Sequence, residues 1–196
     1  MENTDRAALL KQLLGAVSQE AVEMVSAAYS LAEKAHDGQT RDEGTPYILH
    51  PLRVAAFLAE LGHRDPELLA AALLHDTLED SDLTEGEIEA KFGGRVAALV
   101  RTLTKPYIPS LPRIERDRLY YSQLASAPRD ALVIKLADRL DNVRYLHLSP
   151  VRGKASAYLR ETEERYLPLA RKVGGPVAKA LLSWWEEKGA KVPETM

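Results

Sequence analysis

The chain of 196 residues contains no cysteine. Disulfide staples, thiol nucleophiles and thiolate-built zinc sites are thereby excluded, and thiol usage says nothing about the redox compartment. No apolar run approaches the roughly 20 residues needed to cross a bilayer. The first residues, MENTDRAALLKQLLGAV, carry an early acid and no basic segment leading into an apolar one. Neither a signal peptide nor a membrane partner is expected, and a cytoplasmic location is the default expectation. A surplus of positive charge is missing too: 26 lysines and arginines stand against 29 acids, for a formal net charge of −3. Binding long nucleic acid calls for a broad basic face, so the expected partner is a small molecule. Strand-like alternation, internal repeats and low-complexity stretches are not found.

What the chain has in abundance is helical periodicity. Val22, Val25, Ala28, Tyr29, Ala32 and Ala35 recur at three- to four-residue spacing and predict a helix over 17–36. The polar stretch DGQTRDEGTPY (37–47) reads as a loop that delivers His50 to the start of the next helix. That helix tolerates Pro51 in its first turn and stops at Gly62. Asp65-Pro66 opens another, with aspartate as cap, which should run to near Leu78. Thr84 with Glu87 resembles a capping box for a short helix to Phe92, and Gly93-Gly94 separates it from the next. Prolines 106, 109 and 112 hold a loop, and further helices are expected at about 113–126, 129–147, 154–173 and 175–188. The fold class is all-α. A single domain is expected over 1–188, with a frayed tail over 189–196.

Within this helical frame, four side chains from separated segments stand out: His50, the adjacent His75 and Asp76, and Asp138. Two imidazoles and two carboxylates can converge on one divalent cation, and nitrogen with hard oxygen donors suits manganese, iron or zinc in an open site. Asp138 lies in an otherwise apolar helical pattern, after Val133, Ile134, Leu136 and Ala137, where an ionised carboxylate is costly unless paired or bound to metal. The bland alternative pairs Asp138 with a nearby lysine or arginine and makes both histidines ordinary hydrogen-bonding residues. Just past His75-Asp76 come Glu79 and Asp80, acids left free to handle water, which points to a hydrolase. Basic residues cluster at Arg113, Arg116 and Arg118 and at Arg139 and Arg144, either as solvated helix faces or to neutralise a small polyanion. His36 should support the polar loop, His63 and His147 should be ordinary helix-end residues, and Trp184-Trp185 should pack the last helix, with an oligomer contact as the alternative.

The order H…HD…D resembles the HD superfamily of metal-dependent phosphohydrolases. Around it, AHDGQTRDEGTPYILHPLRVA, LLAAALLHDTLEDSDLT, FGGRVAALVRTLTK, ALVIKLADRLDNVRYL and ETEERYLPLARKVG are similar to successive segments of RelA/SpoT-homologue hydrolase domains, over about residues 26–174. The resemblance implies an HD-domain helical bundle of roughly 8–10 helices. It makes His50, His75, Asp76 and Asp138 the metal ligands, with manganese as the usual ion and another divalent transition metal possible. It makes Glu79 and Asp80 the catalytic acids, and it places Arg41, Asn142 and Tyr166 against the nucleotide.

Two carboxylate ligands balance a doubly charged cation, so the substrate's own charge must be met by Arg41, Lys105, Lys135, Arg139 or Arg144. The implied activity is that of a stand-alone small alarmone hydrolase. It would remove the 3′-pyrophosphate of (p)ppGpp to give GDP or GTP. Alternatives are a related phosphohydrolase of (p)ppApp or NADPH, or a non-catalytic nucleotide sensor. No oligomeric state follows. The chain departs from the family pattern at Asp42-Glu43, where relatives often carry lysine, at Tyr145, and in the proline-rich 105–112 loop, whose role as a gate the sequence leaves open.

Overall fold

The computed structural model describes residues 2–151 and 153–189. The chain is all-α. Its helices are α1 (Glu2–Gly15), α2 (Gln19–Ala35), α3 (Leu49–Glu60), α4 (Pro66–Leu74), the single turn α5 (Thr77–Asp80), α6 (Glu85–Phe92) and α7 (Gly94–Leu103). They continue with α8 (Arg113–Ala125), α9 (Arg129–Tyr145), α10 (Lys154–Glu161), α11 (Leu167–Val173) and α12 (Gly175–Glu187). A π-helical turn, Thr162–Tyr166, joins α10 to α11 in one rod, matching the helix expected over 154–173. Among the described residues there is no strand, only a bridge between Thr40 and Pro46 that pinches the 37–47 loop. No helix among them is long and apolar enough to cross a membrane. The tail expected to fray lies, from residue 190 on, outside the described residues.

The local signals act as their chemistry dictates. Asp65 accepts the Glu67 amide at 3.0 Å and Pro66 occupies the first helical position. Thr84 and Glu87 cap α6 reciprocally. Gly93 takes φ +87° between α6 and α7, a conformation a side chain would resist. Two features differ from expectation. The first is α1, whose Leu13 is fully buried while Leu9, Leu10 and Leu14 pack against the core. Their three- to four-residue spacing was the available signal.

The second difference is that α4 stops at Leu74 instead of running on to Leu78. The Thr77 hydroxyl donates to the Leu74 carbonyl at 2.7 Å and His75 Nδ1 donates to the Ala72 carbonyl at 2.8 Å. These bonds occupy acceptors at the end of the helix ladder, and Asp76, with φ −98° and ψ −8°, begins a new turn.

At the centre lies α4, buried from Leu68 through Leu74 and packed by α2, α3, α7 and α9. Burying each leucine of this segment is worth about 1.5–3 kcal/mol, which gives its last residues a rigid seat. Trp184 and Trp185 pack, partly buried, against the same core.

Candidate metal centre and nucleotide cleft

Three elements bring the singled-out residues together. His50 enters on the first turn of α3, His75 and Asp76 on the break after α4, and Asp138 on the inward face of α9. Both histidines and Asp138 are buried. His50 Nε2 lies 3.2 Å from Asp138 Oδ1 and 3.6 Å from Asp76 Oδ2. His75 Nε2 lies 3.3 Å from Asp76 Oδ1 and 3.8 Å from Asp138 Oδ1. Ligand atoms of His50, His75 and Asp138 fall within 4.8 Å of one another, a group that could hold a metal ion.

The decisive detail is what these nitrogens lack. Both Nε2 atoms are buried without a hydrogen-bond partner. His75 donates its Nδ1 proton to the Ala72 carbonyl, so in the neutral ring its Nε2 carries a lone pair. Unshared electron pairs then face carboxylate oxygens, an arrangement that repels when dry and becomes attractive with a cation between them. A proton is the rival. Burial alone would depress the His75 imidazole, but the negative charges of Asp76 and Asp138 beside it override that and hold it at about 9.

Asp138 also realises part of the bland alternative, because its other oxygen pairs with Lys135 Nζ at 2.8 Å. Burial would raise this carboxyl, yet the Lys135 ammonium and the two histidines keep it well below the usual carboxylate range. The pairing and the convergence on the histidines coexist, one on each carboxylate oxygen.

Glu79 and Asp80 stand at the mouth of the centre. The Lys105 amide donates to Glu79 Oε1 at 2.6 Å, and burial pushes the Glu79 carboxyl up against the pull of that bond and of Lys135. Asp80 is reached by Tyr47, whose hydroxyl sits 2.8 Å from Asp76 Oδ2 and 3.0 Å from Asp80 Oδ2. Burial, reinforced by both acids, raises the phenol and keeps it protonated, so it can bond one carboxylate at a time. Sequence reasoning passed over Tyr47; its position one turn before His50 was the only signal. His36 stacks on its ring at 4.5 Å and bonds Gln39 through Nδ1 at 2.9 Å.

From this centre a cleft of about 310 Å³ extends between the 37–47 loop, α9 and α10. Arg41 and Asn142 meet across it at 2.7 Å, and Asn142 donates in turn to Asp138. Residues 135, 138, 139 and 142 share one face of α9 by their three- and four-residue spacing. Arg139 lies over the Tyr166 ring at 3.9 Å and pairs with Glu161 at 2.6 Å; the π turn sets Tyr166 against it. Lys105 and Arg113 line the cleft as well.

Arg144 is not brought there. Six residues past Asp138, about 600° of helix rotation sends it to another face of α9, and its guanidinium lies 5.0 Å over Phe57. The acidic rim is largely committed: Asp42 pairs with Lys154 and accepts Ser149 at 2.7 Å, while Glu43 stands 3.9 Å from Arg41. Asp141 and Arg53, behind His50, were likewise not foreseen.

Residues 28–175 match the HD domain. The chain is 43% identical over 183 residues to a guanosine-3′,5′-bis(diphosphate) 3′-pyrophosphohydrolase of Aquifex aeolicus, which takes in 91% of this chain and 25% of that protein. It thus spans about a quarter of that relative's length. It is 41% identical over 144 residues to the human guanosine-3′,5′-bis(diphosphate) 3′-pyrophosphohydrolase MESH1, covering 72% of this chain and 79% of the human one. A solved structure described as a metazoan ortholog of SpoT that hydrolyzes ppGpp superposes with a TM-score of 0.76 at 30% identity, over 85% of this chain and 96% of that one. The chain therefore belongs to the HD domain family, within its RelA/SpoT-homologue group.

Proposed function

We propose that this protein is a metal-dependent hydrolase of (p)ppGpp-type alarmones that releases the 3′-pyrophosphate and leaves GDP or GTP. The observation that carries this reading is the pair of buried, unpartnered Nε2 atoms facing Asp76 and Asp138, at the end of a cleft lined by Arg41, Lys105 and Arg139. The names of the relatives point to the same substrate class. His50, His75, Asp76 and Asp138 would hold the cation. The absence of thiolate and the mixture of nitrogen and oxygen donors suit manganese, iron or zinc, and the family resemblance favours manganese among them. Such an ion supplies charge that polarises a phosphoryl oxygen and makes water more acidic.

The chain's own residues do the rest. Glu79 orients water and takes its proton, a task suited to a carboxyl raised by burial, and Asp80, fixed by Tyr47, shares that orientation. Arg41, tied to Asn142, and Tyr166 border the nucleoside, while Lys105 and Arg139 meet its phosphate charge. Lys135, already bound to Asp138, balances the ligand carboxylates where it lines the cleft. A water oxygen bonds to the phosphorus of the 3′ ester, the 3′-oxygen leaves with a proton, and pyrophosphate departs.

The test is purified protein with manganese against ppGpp, pppGpp, ppApp, pppApp and NADPH, with products resolved by chromatography. Pyrophosphate together with GDP or GTP is expected from the first two. Orthophosphate from NADPH alone, or tight nucleotide binding without turnover, would overturn the reading in favour of a different phosphatase or a sensor.

A further inference from the structure

Asp141 is a buried acid for which the chemistry above has no task. Only 8% of it is exposed. It lies one turn beyond Asp138 on α9, and the two aspartates grip opposite edges of the same ring: Asp138 stands at Nε2 of His50 and Asp141 accepts from Nδ1 at 2.7 Å. Arg53, one turn along α3 from His50, donates both Nε and Nη2 to this carboxylate at 2.8 and 2.9 Å. Its guanidinium is covered in turn by the Tyr145 ring at 4.0 Å, and Tyr145 is itself a wall of the cleft.

A carboxylate that needed only a counter-ion would be satisfied by Arg53's two-pronged fork alone. Here it keeps an oxygen on the imidazole as well. Because an ionised carboxylate can only accept, it obliges His50 to carry its proton on Nδ1 and leaves the lone pair on Nε2, the atom that is buried without a partner. His75 reaches the same protonation pattern with a backbone carbonyl. Of the two histidines, therefore, only His50 takes its orientation from a side chain that substitution can remove.

We infer that Asp141, clamped by Arg53, is a positioning residue that fixes the His50 tautomer and ring orientation and so strengthens His50 as a cation ligand. The inference rests on the metal reading of the centre. Such an outer partner is worth about 10–100-fold in metal affinity.

The experiment is calorimetric titration of manganese into chelator-stripped protein, with the metal-free melting temperature recorded for each variant. Asp141→Ala should weaken manganese binding by about 10–100-fold. Asp141→Asn, close in shape and still able to present a carbonyl oxygen to Nδ1, should retain the fold and fall between Asp141→Ala and wild type. If instead the Asp141–Arg53 pair merely ties α3 to α9, both variants melt earlier and bind manganese with wild-type affinity, and the inference is overturned. Wild-type protein that takes up no manganese would remove the metal reading itself, an outcome distinct from wild-type binding that the variants leave unchanged.

Discussion

At its N-terminus α4 begins on Asp65, and Arg95 donates there to Asp65, Glu67 and Asp130 at 2.6, 2.6 and 2.8 Å. At its C-terminus it ends on His75 and Asp76, which face His50 and Asp138. Both ends gather charged and polar side chains from several helices. At the first, every carboxylate has a cationic or amide partner, and the side chains remain 34–40% exposed. At the second, the histidines are buried and two nitrogens have no hydrogen-bond partner. A cluster that completes itself in water contributes modest stability. A buried one that stays incomplete costs stability until something else enters. The contrast between solved and unsolved electrostatics on one helix separates scaffold from site.

The strongest test of that contrast is removal of a group at the incomplete end. His75→Ala or Asp138→Ala should abolish both metal uptake and alarmone hydrolysis, measured by calorimetry and product chromatography. Retention of metal by both variants would dissolve the distinction between the two ends. Glu79→Gln comes next, with kcat expected to fall about 10²–10⁴-fold, the usual contribution of a general base. Its metal affinity should be preserved, and an unchanged rate would take Glu79 out of the chemistry.

Thermal unfolding offers a third and smaller effect. Manganese at about 100 times its dissociation constant should stabilise the wild type by about 2.7 kcal/mol and leave the His75→Ala melting curve where it was.

The completed end should respond only weakly. Arg95→Ala should cost about 0.2–1 kcal/mol for each exposed pair it breaks and leave manganese affinity intact. Hydrogen bonding from Arg95 holds the Asp65 carboxyl below its ordinary value, against the opposing effect of burial. A lowered folded-state pKa means the unfolded chain binds more protons at acid pH. The Asp65 contribution is thus fully present above about pH 4, the ordinary aspartate value, and disappears as pH falls through the lower folded value. Urea unfolding as a function of pH should show this acid loss in the wild type and less of it in Arg95→Ala. An identical acid limb in both would deny the Asp65–Arg95 pair any role in stability.

Much of this architecture was legible from short-range chemistry. Asp65-Pro66, the Thr84–Glu87 box, Gly93 and the three prolines bound their helices because capping and backbone restriction act within about four residues. The H…HD…D order was legible because few tasks other than cation binding call for those donors in an apolar setting. The α4 break at His75 was not, since it depends on side chains taking backbone carbonyls that an uninterrupted helix would have used. Charge alone makes Arg144 a candidate substrate ligand, whereas the helical phase set by Asp138 turns it to another face. Tyr47, Arg53 and Asp141 carry no local signature of their roles.

By itself, then, the sequence determined most of the helices, the boundaries set by local caps and the kinds of donor available for chemistry, because propensity and periodicity are properties of neighbouring residues. Only the tertiary structure decided who satisfies whom. It sets Arg53 on Asp141 across 88 residues and Arg41 on Asn142 across 101, and it leaves Nε2 of His50 and of His75 without a hydrogen-bond partner. A buried polar atom's partner is chosen by packing in three dimensions, where separation along the chain no longer measures distance.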